Sequence, residues 1–135
     1  MSANTEQVGG THYCSPYQPW DFAMDLFAGC FFLGNANKYI TRWRKKNGVE
    51  DLRKALHYLE KRLELEDQGR AHMLAILSQE ARAALLARYV EANELQFPEE
   101  EVLDHMAAGD LEQAAHGLAL LIAEEDLRFK SARPR

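Results

Sequence analysis

Basic side chains are concentrated between residues 38 and 46. This stretch holds five basic residues and no acidic one: Lys38, Arg42, Arg44, Lys45 and Lys46. In a helix, Lys38, Arg42 and Lys45 recur at i, i+4 and i+7 and therefore lie on one face. Arginine offers phosphate oxygens a bidentate fork, and lysine offers a point charge. The pattern predicts a local anion site, although such a run is also typical of a solvated helix face.

A second polar face follows the Asn47-Gly48 pair, which is typical of a helix stop with a turn. Beyond it, Asp51, Lys54 and Tyr58 occur at i, i+3 and i+7, so they share one helix face. A turn at Asn47-Gly48 makes the two helices antiparallel neighbours. We therefore expect the two polar faces to meet.

Two interpretations of the facing groups remain open. In one, Lys38 and Arg42 bind phosphate while an aromatic side chain stacks on a base. In the other, Asp51 forms an interhelical salt bridge with Lys38 or Arg42, and the aromatic side chains lie in the core. Spacing alone favours the salt bridge. The aromatic candidates for base stacking are Trp20, Tyr13 and Trp43.

Two further groups could do chemistry nearer the start of the chain. Asp21 and Asp25 form an i, i+4 acid pair that could hold Mg²⁺, although such pairs are more often solvated. His12 stands in a predicted loop beside Tyr13, where it could act as a general acid or donate to phosphate. A hydrogen-bonded packing histidine is an equally good interpretation.

Composition and missing motifs exclude several classes of protein. The formal net charge of −5 argues against general nucleic-acid binding. Residues 99–126 hold nine acids and no Lys or Arg, so the charge is distributed unevenly. There is no P-loop, no zinc-ligand spacing and no nucleophile elbow. Without a signal peptide or an apolar span of ~18 residues, we expect a soluble cytosolic protein with no membrane contact.

Helical periodicity runs through the sequence, and no alternating β pattern interrupts it. The fold class expected is all-α: a small bundle of five to six helices with a non-helical N-terminal arm. Residues 1–69 carry the motifs, and residues 70–135 form a helical C-terminal region of the same compact unit. The predicted helices cover about 19–34, 35–46, 49–68 and 71–94, with a short helix after Pro98 and a last one from Asp110.

Particular positions follow from these helices. The first should bury a stripe with spacing 4, 3 and 4, and end at Gly34, with Asn35 capping the next helix. Cys30 should be a buried small hydrophobe in the first helix. The stripe consists of Trp20, Met24, Phe27 and Phe31.

Several short motifs, in one order, resemble the SaV-like family of phage proteins over residues 9–61. Asn37 departs from the pattern, since the family usually has an apolar residue there. The segments are Gly9-Gly10-Thr11-His12-Tyr13, Gln18-Pro19-Trp20-Asp21-Phe22, Gly34-Asn35-Ala36-Asn37-Lys38-Tyr39-Ile40-Thr41-Arg42, Lys46-Asn47-Gly48-Val49-Glu50-Asp51-Leu52-Arg53-Lys54-Ala55 and His57-Tyr58-Leu59.

The resemblance implies a nucleoside monophosphate kinase without a P-loop that acts on deoxynucleotides such as dGMP and dTMP. It also implies a homo-oligomer in the host cytoplasm, with ATP or another nucleotide as phosphate donor and the need for Mg²⁺ left open. The residues carried over from the family pattern are His12, Tyr13, Trp20, Asp21, Asn35, Lys38, Arg42, Lys46, Glu50, Asp51, Lys54 and Tyr58.

In a kinase, these residues would have separate roles in binding phosphate, binding the base and orienting the reacting groups. The phosphate clamp would consist of Lys38, Arg42 and Lys46. Asp21 or Asp51 would orient a nucleophilic phosphate or a metal, with His12 as a further catalytic candidate. The base would lie against Tyr13 and Trp20. Asn35, Lys54 and Tyr58 would complete the nucleotide site.

Three other functions are compatible with the sequence. The protein could bind nucleotides without catalysis, as a sensor or an antagonist of host defence. It could be a MazG-like pyrophosphohydrolase, but only Glu64 and Asp67 fit the required carboxylate pattern. It could also bind a host protein through its acidic C-terminal half.

Overall fold

In the computed structural model, residues 15–71 and 76–132 are described. These residues form six α-helices and one 3-10 turn, without a strand, so the all-α prediction is confirmed. Residues 15–18 are non-helical, and His12 and Tyr13 lie outside the described residues. The helices are α1 (Pro19–Phe27), α2 (Phe31–Arg42), α3 (Val49–Asp67), α4 (Gln79–Asn93), α5 (Phe97–Ala107) and α6 (Leu111–Ala132), and the 3-10 turn Trp43–Lys45 follows α2.

Helix α1 begins at Pro19 as predicted, because proline suits the first helical position. It ends at Phe27, since Ala28 (φ +50°) and Gly29 (φ +72°) adopt left-handed conformations. The prediction that one helix continues to Gly34 was wrong.

The buried face of α1 also differs from the predicted stripe. Of the four stripe residues only Phe27 is buried, while Trp20, Met24 and Phe31 are exposed. Because α1 has a second apolar stripe, its period could not identify the core face. The core side chains of α1 are Phe22, Ala23, Leu26 and Phe27.

Helix α2 begins at Phe31, so Gly34 and Asn35 lie inside it. The predicted capping role of Asn35 was therefore wrong, and its Nδ2 donates to the Phe31 carbonyl oxygen at 2.8 Å. Cys30 precedes the helix and is half-buried, not a core residue. The Arg62 guanidinium donates to its Sγ at 2.9 Å.

Helices α2 and α3 form an antiparallel hairpin around the predicted Asn47-Gly48 turn. Gly48 has φ +61°, a conformation that favours glycine. Helix α3 agrees with its predicted limits to within one residue, and Leu52 and Leu59 are fully buried on its core face. Helix α6 packs against α3 and also against α5.

The C-terminal helices begin where local caps place them. Ser78 caps α4 by accepting from the Ala81 amide at 3.2 Å, so this helix begins later than the predicted residue 71. Gln96 and Glu99 form a capping box at the start of α5. The buried face of α6 includes Leu111, Leu118 and Leu121, with Ile122 half-buried beside them.

A buried polar network joins α2 to α4. The Asn37 Nδ2 atom lies 3.3 Å from both the Pro19 carbonyl oxygen and the Tyr89 hydroxyl. The Thr41 hydroxyl is 2.6 Å from the same Tyr89 oxygen. The Tyr89 ring also stacks on Phe22 with centroids 4.0 Å apart. Side chains from both halves of the chain thus share one core.

Within the described ranges, no helix combines the length and apolar character needed to cross a membrane.

Candidate functional site

Three cationic side chains surround one tyrosine ring on the outer face of the α2–α3 hairpin. The distances to the Tyr39 ring centroid are 4.5 Å from Lys38 Nζ, 4.7 Å from Arg42 Cζ and 5.5 Å from Lys54 Nζ. Tyr58 stacks beside Tyr39 with centroids 6.0 Å apart and an interplanar angle of 20°. All five side chains are half-buried. We call Lys38, Tyr39, Arg42, Lys54 and Tyr58 the Tyr39 cluster.

Helical spacing and one turn assemble this cluster. Lys38 and Arg42 are four residues apart on α2, and Tyr39 lies between them in sequence. Lys54 and Tyr58 are four residues apart on α3. The Gly48 turn folds the second pair back against the first, as the sequence predicted.

Asp51 lies beneath the cluster and holds Arg42 in place. Its side chain is 0% exposed, and its oxygens accept from Arg42 Nε at 3.2 Å and the terminal guanidinium nitrogen at 3.4 Å. The Asn47 backbone and side-chain nitrogens also approach these oxygens, at 3.4 and 3.3 Å. The predicted Asp51–Arg42 salt bridge is therefore present. In this geometry Asp51 positions Arg42 and does not reach the surface.

The cations of the cluster differ in how strongly other groups hold them. Arg42 is only 11% exposed and is oriented by its buried carboxylate. Lys54 has Glu50 Oε1 at 3.9 Å, with both side chains substantially exposed. A surface pair of this kind contributes little, so an anion can compete for Lys54.

The remaining described sequence candidates lie on α1, on α2 and just after the 3-10 turn. Trp20 is exposed and Asp21 half-buried on α1, while Asn35 is half-buried on α2, one turn before Tyr39. Lys46 is exposed just after the 3-10 turn. Trp43 is buried in the core with the Arg44 guanidinium over its ring, as the salt-bridge interpretation expected, so it is not available for base stacking.

In the Asp21 and Asp25 pair, the Asp25 carboxylate accepts a hydrogen bond from another side chain. The Tyr17 hydroxyl donates to Asp25, and burial together with this carboxylate raises the pKa of Tyr17 above its usual range. Tyr17 therefore stays protonated as a donor to Asp25. Among residues 15–71 and 76–132, no three His, Cys, Asp or Glu side chains are grouped closely enough to hold a metal ion.

Sequence reasoning missed the central residue of the cluster. Tyr39 and Ile40 both fit the apolar periodicity of α2, but Ile40 is fully buried whereas the Tyr39 ring is half-exposed among the cations. Its place beside Lys38 and three residues before Arg42 is a signal that could have identified it.

A family described as a protein of unknown function (DUF3310) matches residues 10–60, which is less than half of the chain. The matched segment contains the whole Tyr39 cluster and Asp51. No curated protein matches this sequence. No solved structure matches it either.

Proposed function

We propose that this protein binds a nucleoside phosphate at the Tyr39 cluster and acts as a (deoxy)nucleoside monophosphate kinase without a P-loop. The observation that carries the proposal is the grouping of Lys38, Arg42 and Lys54 around a half-exposed aromatic pair. Such a surface offers charge-assisted hydrogen bonds to phosphate oxygens and a ring face to a base. The motif resemblance supports the same class of ligand.

Phosphoryl transfer depends on positioning and charge neutralisation. An oxygen of the bound monophosphate would form a bond to the γ-phosphorus of ATP, or of another nucleotide donor, as the bond to the leaving diphosphate breaks. Lys38, Lys54 and Arg42 would neutralise the charge that accumulates on the oxygens. Asp51 would act through Arg42, and Asp21 on α1 remains the candidate for orienting the acceptor or Mg²⁺.

The same proposal places the protein in phage nucleotide metabolism in the host cytoplasm, as a homo-oligomer. Trp20, Asn35 and Lys46 would extend the site, together with His12 and Tyr13. Nucleotides would be its principal partners.

Nucleotide binding without catalysis is the second candidate. The burial of Asp51 favours it, because the carboxylate nearest to Arg42 cannot touch a ligand in this geometry. A sensor or an antagonist of host defence would need only the binding surface. A pyrophosphohydrolase fits less well, since its chemistry requires several carboxylates around Mg²⁺.

Substitution of the two lysines tests nucleotide binding. Loss of a charged hydrogen bond costs about 1.5–3 kcal/mol, so Lys38→Ala and Lys54→Ala should each weaken binding of a deoxynucleoside monophosphate by about tenfold or more in calorimetry. Lys61→Ala is the matched control, because Lys61 lies on α3 and pairs with Glu64 at 3.3 Å. Unchanged affinity in the double lysine variant would contradict the proposed site.

A coupled assay of a deoxynucleoside monophosphate panel with ATP separates the two candidates. A kinase forms a diphosphate product and loses turnover in both lysine variants. Binding without product indicates the non-catalytic function. Release of pyrophosphate from a nucleoside triphosphate would instead indicate the pyrophosphohydrolase.

A further inference from the structure

A groove of about 240 Å³ runs between α5 and α6, away from the Tyr39 cluster. Val102 and Leu121 form its floor, and Phe97 and Leu120 stand at its walls, 73% and 54% exposed. Gly117 keeps the floor open, because a Cβ there would lie 3.1 Å from Val102 Cγ2. Exposed apolar side chains around a concave apolar floor are typical of a docking surface.

Two carboxylates and two histidines, His105 and His116, line this groove, and none of its lining residues is a Lys or Arg. The carboxylates are those of Glu101 and Glu124, and residues 99–126 contain no Lys or Arg in sequence. An apolar groove with an acidic border fits an occupant that is both apolar and basic.

The end of α6 has this complementary chemistry. Leu127 is 65% exposed. It is followed by Arg128, which is 71% exposed and pairs with Glu125 of its own helix at 3.3 Å, and by Lys130. The last eight residues of the sequence hold four cations and no acid. Leu120 and Leu127 are seven residues apart, so they share one face of α6. One exposed helix face thus begins beside the acidic groove and ends in a basic segment.

We propose that the groove between α5 and α6 is the surface at which a second copy of this chain docks, with the two α6 helices antiparallel. This arrangement brings the basic end of each α6 against the acidic groove of the other copy. A parallel pair would bring like charges together. The interface is self-complementary, as a twofold dimer requires, and it does not rest on the nucleotide proposal.

Sedimentation velocity of the full chain over a range of concentrations tests the interface. We expect a dimer in the wild type, and a dimer dissociation constant raised about tenfold or more by Leu120→Glu and by Leu127→Glu. Ala119→Glu is the control, since Ala119 is exposed on α6 but is turned about 100° from Leu120. Far-UV circular dichroism checks that each variant remains helical.

Charge reversal tests the antiparallel arrangement. One chain carries Glu101→Lys and Glu124→Lys, and the other carries Arg128→Glu and Lys130→Glu. Each chain alone should be monomeric, and an equimolar mixture should form a heterodimer. A wild type that stays monomeric at its highest attainable concentration, a dimer insensitive to Leu120→Glu, or a mixture that does not pair would overturn the proposal. So would a monomer whose groove binds a basic amphipathic peptide instead.

Discussion

At the residue scale, Asp51 shows why a polar motif residue need not face a ligand. Its carboxylate is fully buried, yet Arg42 and Asn47 supply the hydrogen bonds that a buried charge requires. This pairing fixes the orientation of Arg42 within the Tyr39 cluster. Asp51 thus contributes both to the geometry of the candidate site and to the stability of the α2–α3 hairpin.

We expect Asp51→Asn to lower the free energy of unfolding by about 3–5 kcal/mol, because the buried guanidinium loses its charged partner. Urea denaturation measures this change. Asp126→Asn is the control, since Asp126 pairs with Arg53 at 2.6 Å in an exposed position. That change should cost less than about 1 kcal/mol. Equal costs for the two substitutions would contradict the buried-pair account.

At the element scale, two glycines of the motif region have opposite roles. Gly48 adopts φ +61° in the hairpin turn, and a Cβ there would meet no atom within 4 Å. Gly34 lies inside α2, where a Cβ would contact the Ala23 Cβ at an ordinary 3.6 Å. The backbone conformation therefore requires glycine at position 48, although a side chain would have room there. At position 34 neither the backbone conformation nor the available room requires glycine.

Alanine at these two positions should change stability in opposite directions. Gly48→Ala should destabilise the protein by about 1–3 kcal/mol, because alanine is strained in that conformation. Gly34→Ala should stabilise it by up to about 1 kcal/mol through helix propensity and a restricted unfolded chain. The two shifts in urea midpoint provide the comparison, and shifts of the same sign would refute this reading of the hairpin.

At the scale of the whole molecule, buried contacts join the motif region to the C-terminal helices. Arg44 donates twice to Glu99 at 3.0 Å, and the Glu99 side chain is only 1% exposed. This pair joins the 3-10 turn to α5, and the Tyr89 network separately joins α2 to α4. Such contacts favour one cooperative unit over two independent halves.

Unfolding should therefore follow a single transition. Both tryptophans precede residue 70, so their fluorescence reports on the motif region, whereas far-UV circular dichroism reports on all helices. The two urea curves should coincide in the wild type and shift together in Glu99→Gln. The exposed neighbour Glu100 provides the control, as Glu100→Gln should change stability by less than about 0.5 kcal/mol. Separate transitions would show that the two halves unfold independently.

Some features of the fold and site follow from local physics, and the sequence alone predicted them. Helical periodicity and glycine conformation placed α3 and the Asn47-Gly48 turn, and the turn brought Lys54 towards Lys38. These features depend on neighbours within a few residues, so one chain segment contains the necessary information.

Only the tertiary structure decided which apolar face meets the core and which polar group is buried. Trp20 and Phe22 both lie on apolar stripes of α1, but Tyr89 from a distant helix packs on Phe22 and leaves Trp20 exposed. The surroundings of Asp51 and Tyr39 likewise depend on the neighbouring helix of the hairpin. Arg42 of α2 pairs with Asp51, and Lys54 and Tyr58 of α3 lie beside Tyr39. Spacing along the sequence defines the face of a helix, whereas burial depends on what the rest of the chain packs against that face.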